Sequence, residues 1–102
     1  MKVALVNGIE RKDGVLVEYH LIKSLFIQDD QINVEFVSYL NKAAYFADKD
    51  QVGKSRYAQV AFTGFPIKEK DILDALKALP EFAGAQEDRE QKPPKPIESR
   101  FP

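Results

Sequence analysis

The sequence predicts a small α+β domain: an antiparallel meander of about four strands, packed on one face by a single C-terminal helix and followed by a disordered tail. Three observations lead there. Apolar and polar residues alternate over long stretches of the first forty residues, one later stretch changes to a helical period, and the last 17 residues are almost without apolar side chains. The length of 102 residues fits one domain, and 44% hydrophobic residues with seven phenylalanines supply a single modest core.

The elements follow in chain order. Residues 2–12 and 15–27 read as strands joined at Asp13-Gly14, a pair that tolerates the positive φ of a type I′ turn. A second turn at Asp29-Asp30 leads into a strand over 32–40. Residues 41–54 are polar and contain Gly53; they read mainly as a loop, with room for one short helical turn capped by Asn41. A fourth strand over 56–65 precedes Pro66. Between 68 and 79, Ile72, Leu76 and Leu79 recur at helical spacing while Lys70, Asp74 and Lys77 lie on the other side. Pro80 stops this helix, and no Ser, Thr, Asn or Asp caps its start. The domain is expected over 1–85 and the tail over 86–102, where four prolines and eight charges of balanced sign accompany only Ile97 and Phe101.

Turn chemistry sets an expected register. The first hairpin places Ile9 opposite Glu18, Asn7 opposite His20 and Leu5 opposite Ile22; the second places His20 opposite Tyr39, Ile22 opposite Val37 and Lys23 opposite Phe36. One face then carries Val15, Val17, Tyr19, Leu21, Leu25, Ile27, Ile32, Val34, Phe36 and Leu40, under the helix. The other carries Leu5, Ile9, Leu16, Ile22, Phe26, Val37 and Tyr39, with nothing obvious to bury it. Contiguous apolar surface of that kind marks contact with another chain, so Leu5, Leu16, Ile22, Phe26, Val37 and Tyr39 form the expected protein interface. The alternative is that the 41–54 loop folds over it. Asn7, His20 and Tyr39 form a polar row on the same face.

Chemistry is sparse. The absence of cysteine removes disulfides, thiolate nucleophiles and Cys-ligated metals, and fits a reducing cytoplasm. His20 is the only histidine and reads as a strand residue bonded to a neighbour. Ser24, Ser38, Ser55 and Ser99 lie in no nucleophile elbow, and the glycines form no phosphate-binding fingerprint. No catalytic, cofactor or metal residue is expected, and no enzyme. Fifteen basic against 16 acidic residues give a net charge of −1, which argues against a nucleic-acid partner, although Lys42, Lys49, Lys54, Arg56 and Tyr57 form a weakly basic, aromatic neighbourhood. No apolar run approaches the roughly 20 residues of a membrane span. Pro93 and Pro96 make a PxxP that could serve as a peptide ligand.

The run Asp13-Gly14-Val15-Leu16-Val17-Glu18-Tyr19-His20-Leu21-Ile22, followed by Val37-Ser38-Tyr39, resembles small proteins encoded among phage and prophage tail and baseplate genes. The stretch from Asp71-Ile72-Leu73-Asp74 through Leu79-Pro80-Glu81-Phe82 is similar to that group's closing helix and Pro-Glu-Phe end. The resemblance covers roughly residues 9–88; the proline-rich tail is outside it. It implies a tail-assembly or virion accessory protein in the host cytoplasm or on the particle. Such a protein acts by protein–protein contact; the two-sided apolar pattern adds self-association through the second sheet face as an expectation, and no small-molecule substrate is evident. A regulatory adaptor working through its tail is the second expectation, and a weak nucleic-acid binder the third.

Overall fold

The computed structural model describes residues 3–90. Five antiparallel strands form one sheet: β1 (Ala4–Glu10), β2 (Leu16–Gln28), β3 (Gln31–Tyr39), β4 (Arg56–Ala61) and β5 (Gln86–Asp88), in spatial order β4-β3-β2-β1-β5. The α+β class and the meander hold, with one strand more than expected. Helix α1 (Lys42–Phe46) follows β3, helix α2 (Glu69–Lys77) follows β4, and a 3₁₀ turn over Pro80–Phe82 leads to β5. The two helices lie on opposite faces, so the single helical cover expected from the sequence is corrected to a cover on each side.

Local chemistry accounts for the punctuation. Asp29 and Asp30 both take positive φ (51° and 62°), the geometry of a type I′ turn that short carboxylate side chains tolerate. At the first hairpin only Gly14 does so, at φ 85°. Arg11 N–H donates to Val15 C=O and Gly14 N–H to Arg11 C=O, both at 2.9 Å, closing a three-residue loop where a two-residue one was expected. Asn41 caps α1 through its Oδ1, which accepts from Ala44 N–H at 2.8 Å. Helix α2 starts without a side-chain cap at Lys68, but Glu69 and Asp71 complement its N-terminal dipole.

Two bulges decide which side chains share a face. β2 pairs with β3 in the expected register from Ser24 to Gln28 and is shifted by one from Tyr19 to Ile22, so Lys23 is the extra residue. β1 carries a second irregularity between Val6 and Ile9, which together with the three-residue loop brings Leu5, not Asn7, opposite His20. His20, Ile22, Leu25 and Ile27 therefore follow one face. Val17, Tyr19 and Leu21 fall on the other with Phe26. The expected face assignment is thus exchanged along half of β2, and the proposed interface row is broken up. Leu5 and Ile22 lie buried beneath α2, Val37 and Tyr39 lie on the opposite face, and Leu16 sits half-exposed near the first hairpin.

The main core lies between the sheet and α2. Leu5, Ile22, Ile32, Val34, Phe36, Ala58 and Val60 meet Ile72, Leu73, Leu76 and Phe82. Phe82, presented by the 3₁₀ turn, packs edge-on against both Phe36 (5.3 Å between centroids) and His20 (5.6 Å).

The domain boundary moves as well. Gln86–Asp88, expected in the tail, pairs with β1 through Val6, Leu5 and Ala4. Alternation sends Glu87 to the α2 side, where Lys77 Nζ meets it at 2.8 Å, and Asp88 to the α1 side, where Lys42 Nζ meets it at 2.8 Å. Glu90 also pairs with Lys42, and Arg89 pairs with Glu69. The PxxP at Pro93 and Pro96, with the rest of the expected disordered tail from residue 91 onward, lies outside the described residues.

Candidate interaction surface

The face away from α2 divides into two halves. Over the half nearest β5, α1 forms a roof. Tyr45 stacks on Tyr19 at 5.2 Å and 20° and leans on Tyr39 at 5.0 Å, so the three rings form one closed cluster. Burial, helped by the Asp88 carboxylate, pushes the Tyr19 phenol up to about 12. Lys42 is held above its usual range by its hydrogen bonds to Asp88 and Glu90, and it fastens α1 to β5. Tyr39, expected on an exposed interface, is thus packed against the segment that the sequence left as the alternative cover, and Val37 is buried on the same face.

The other half has no roof among the described residues. Phe26 is 44% exposed and Tyr57 58% exposed, and their rings meet edge to face at 6.1 Å. Polar side chains with satisfied bonds surround them. Ser24 Oγ donates to Glu35 Oε1 at 2.8 Å, Tyr57 OH reaches Glu35 Oε2 at a long 3.5 Å, and Gln59 Nε2 donates to Asn33 Oδ1 at 3.2 Å. An exposed aromatic pair within a satisfied polar rim matches the anatomy of protein contact sites, where aromatic residues are enriched. Of the six expected interface residues only Phe26 lies here. Tyr57, grouped by the sequence with basic residues, belongs to this patch; its outward alternation on β4 was the available signal.

β4 borders this open half and ends the sheet. Phe62 N–H donates to Asp30 C=O at 3.2 Å, and the β3–β4 register runs without a shift from Arg56 to Ala61. In an antiparallel pair these bonds fall on alternate residues, so Arg56, Ala58 and Val60 bond to β3 while Tyr57, Gln59 and Ala61 turn their N–H and C=O groups outward. Among the described residues no strand lies beyond them.

The polar row resolves differently from its expectation. His20 is buried, 1% exposed, with Nε2 2.9 Å from Asn7 C=O and Nδ1 2.8 Å from Ser38 Oγ. A carbonyl only accepts, so Nε2 carries the proton and Nδ1 accepts from the Ser38 hydroxyl. Burial holds the imidazole below its ordinary value, and both nitrogens are engaged, leaving none for a ligand. Tyr39 is not in this row: it stands opposite Tyr19, on the other face. Asn7 contributes its backbone, while its Nδ2 donates to Glu81 C=O at 2.7 Å and its buried Oδ1 has no partner among the described residues.

Two concavities among the described residues bear on the site. One of about 230 Å³ lies between the end of β4 and the start of α2, lined by Phe62, Pro66, Ile67 and Ile72. The other, about 660 Å³, lies between the first hairpin and the segment before β4. It gathers Arg11, Lys12, Lys54 and Arg56, but Glu10, Asp13 and Glu81 line it too, so no strong field of one sign develops. Lys42, turned toward Asp88, is not part of it. Among the described residues no three acidic or imidazole side chains converge as a metal site, and no helix is long and apolar enough to cross a membrane. No family model matches the chain, and no similar curated protein or solved structure was found.

Proposed function

We propose that this chain is a non-enzymatic protein–protein contact module that works through its sheet, with a role in phage or prophage tail assembly or as a virion accessory protein. The observation that carries the contact reading is the exposed Phe26–Tyr57 pair, adjoining a sheet edge that no other strand covers among the described residues. The tail-assembly setting rests on the sequence resemblance in the Asp13–Ile22 run and the closing helix. In this reading the protein acts in the host cytoplasm or on the particle, with a protein as its partner.

Complementation of a strain lacking the gene tests this reading. A Phe26→Ser/Tyr57→Ser chain is expected to fold normally, fail to restore particle assembly and lose a co-purifying tail component. A chain ending at Glu90 is expected to keep both functions. Normal assembly by the double variant, or a gene set among non-phage neighbours, counts against the proposal. Loss on truncation at Glu90 points instead to the proline-rich segment as ligand.

A further inference from the structure

Resting on the reading of the sheet as a contact surface, we infer that β4 pairs antiparallel with β4 of a second copy, joining two sheets into one of ten strands. Edge strands are ordinarily shielded by shortness, charge, proline or a bulge. β4 has six residues, no proline and no register shift. Its single charge, Arg56, is drawn away from the edge: the guanidinium lies over the Phe36 ring at 5.7 Å, on the α2 side. Three consecutive outward residues, Tyr57, Gln59 and Ala61, thus present donors and acceptors to whatever strand arrives.

A second copy fits that requirement. The register that uses every outward residue centres on Gln59, setting it opposite its own equivalent and Tyr57 opposite Ala61, with about six N–H···O bonds. No like charges oppose one another, because Arg56 then faces Phe62 of the other chain. The chain's own C-terminal segment is a poor occupant: beyond Glu90 it has four prolines in twelve residues, each without an N–H to donate. The opposite edge is a poor template: β5 has three residues, two of them carboxylates held in ion pairs, and the stretch of β1 beyond it, Asn7–Glu10, carries the irregularity after Val6. One regular open edge among the described residues gives a closed two-fold dimer and not a filament. Its axis stands perpendicular to the sheet, so both Phe26–Tyr57 pairs lie on the same side and form one continuous surface for a third component.

Sedimentation equilibrium of the purified full chain tests this. The expected mass is twice the 11.6 kDa of the chain. Gln59→Pro, which removes an outward N–H and the side-chain bond to Asn33 but leaves the β3–β4 backbone bonds intact, is expected to sediment at the single-chain mass with an unchanged circular dichroism spectrum. Hydrogen exchange on the unmodified protein supplies a readout independent of any variant. The amides of Tyr57, Gln59 and Ala61 are expected to be protected at least tenfold more at high than at low protein concentration. A strict monomer, a dimer indifferent to Gln59→Pro in a folded chain, or unprotected amides at these positions in a dimer each overturn the inference. A monomer that still binds a tail component overturns the dimer alone, whereas a dimer indifferent to Phe26→Ser/Tyr57→Ser in assembly overturns the broader function alone.

Discussion

The two edges of the sheet are built on opposite plans. β5 is three residues long, reads Gln-Glu-Asp, and is fastened by ion pairs to α1 on one side and α2 on the other. β4 is twice as long, keeps its only charge over Phe36, and has no further strand on its outward backbone groups among the described residues. The difference teaches where this small domain spends its charged residues. They close the edge at which the chain leaves the sheet, and they leave the other edge able to accept a strand. The second face repeats the contrast, roofed by the tyrosine cluster near β5 and open at Phe26 and Tyr57 near β4.

The closed edge gives the largest effect. A chain ending at Ala85 loses β5 and uncovers Leu5 and the outer backbone of β1. With net hydrogen bonds worth about 1 kcal/mol each and some apolar area exposed, the cost is expected at roughly 2–4 kcal/mol in urea unfolding. A chain ending at Glu90 is expected to match the full-length midpoint; equal stability of the two truncations would remove β5 from the account.

Between the edges, His20 is expected to make the domain acid-sensitive. The unfolded chain takes up a proton near its ordinary value of 6.5, whereas the buried imidazole does so only at lower pH. Below that value the unfolded state binds more protons, so stability falls as the pH is lowered through the window between the two. His20→Gln is expected to flatten this slope while costing roughly 1–3 kcal/mol at neutral pH, through unpaired Ser38 and Asn7 groups. A slope unchanged by the substitution would assign the acid sensitivity elsewhere.

Much of the scaffold is legible in sequence because its signals are local. Asp29-Asp30 turns as expected, Asn41 caps a helix, and Ile72, Leu73 and Leu76 line the buried side of α2. The face assignment was not legible, because a bulge at Lys23 has no compositional mark and one extra residue exchanges every side chain beyond it. Gly8, inside β1, was the only hint of the other irregularity. β5 was unreadable for a related reason: Gln-Glu-Asp has poor strand propensity, and its place is set by Lys42, Lys77 and the backbone of β1. The candidate site inherits these gaps, so Phe26 was found and Tyr57, Gln59 and the free edge were not.

Smaller effects separate the edges further. Lys42→Ala breaks solvent-exposed ion pairs, and such pairs are worth at most about 1 kcal/mol, less at high salt. Its melting temperature is therefore expected to drop slightly at low ionic strength and to converge on the parent in salt. Gln59→Lys places a charge at the middle of β4. Surface substitutions of this kind change stability by about 0.5 kcal/mol or less, so the variant is expected to melt with the parent yet lose self-association by sedimentation.

Cross-linking tests the open edge most directly, since the chain has no cysteine of its own. In the register centred on Gln59, the two Cα atoms of Gln59→Cys lie about 5.5 Å apart, within the span of a disulfide. Mild oxidation is expected to convert Gln59→Cys to a covalent dimer, while Gln86→Cys, on the closed edge, stays monomeric. A Gln59→Cys chain that remains monomeric, or cross-links no faster than Gln86→Cys, would contradict the account.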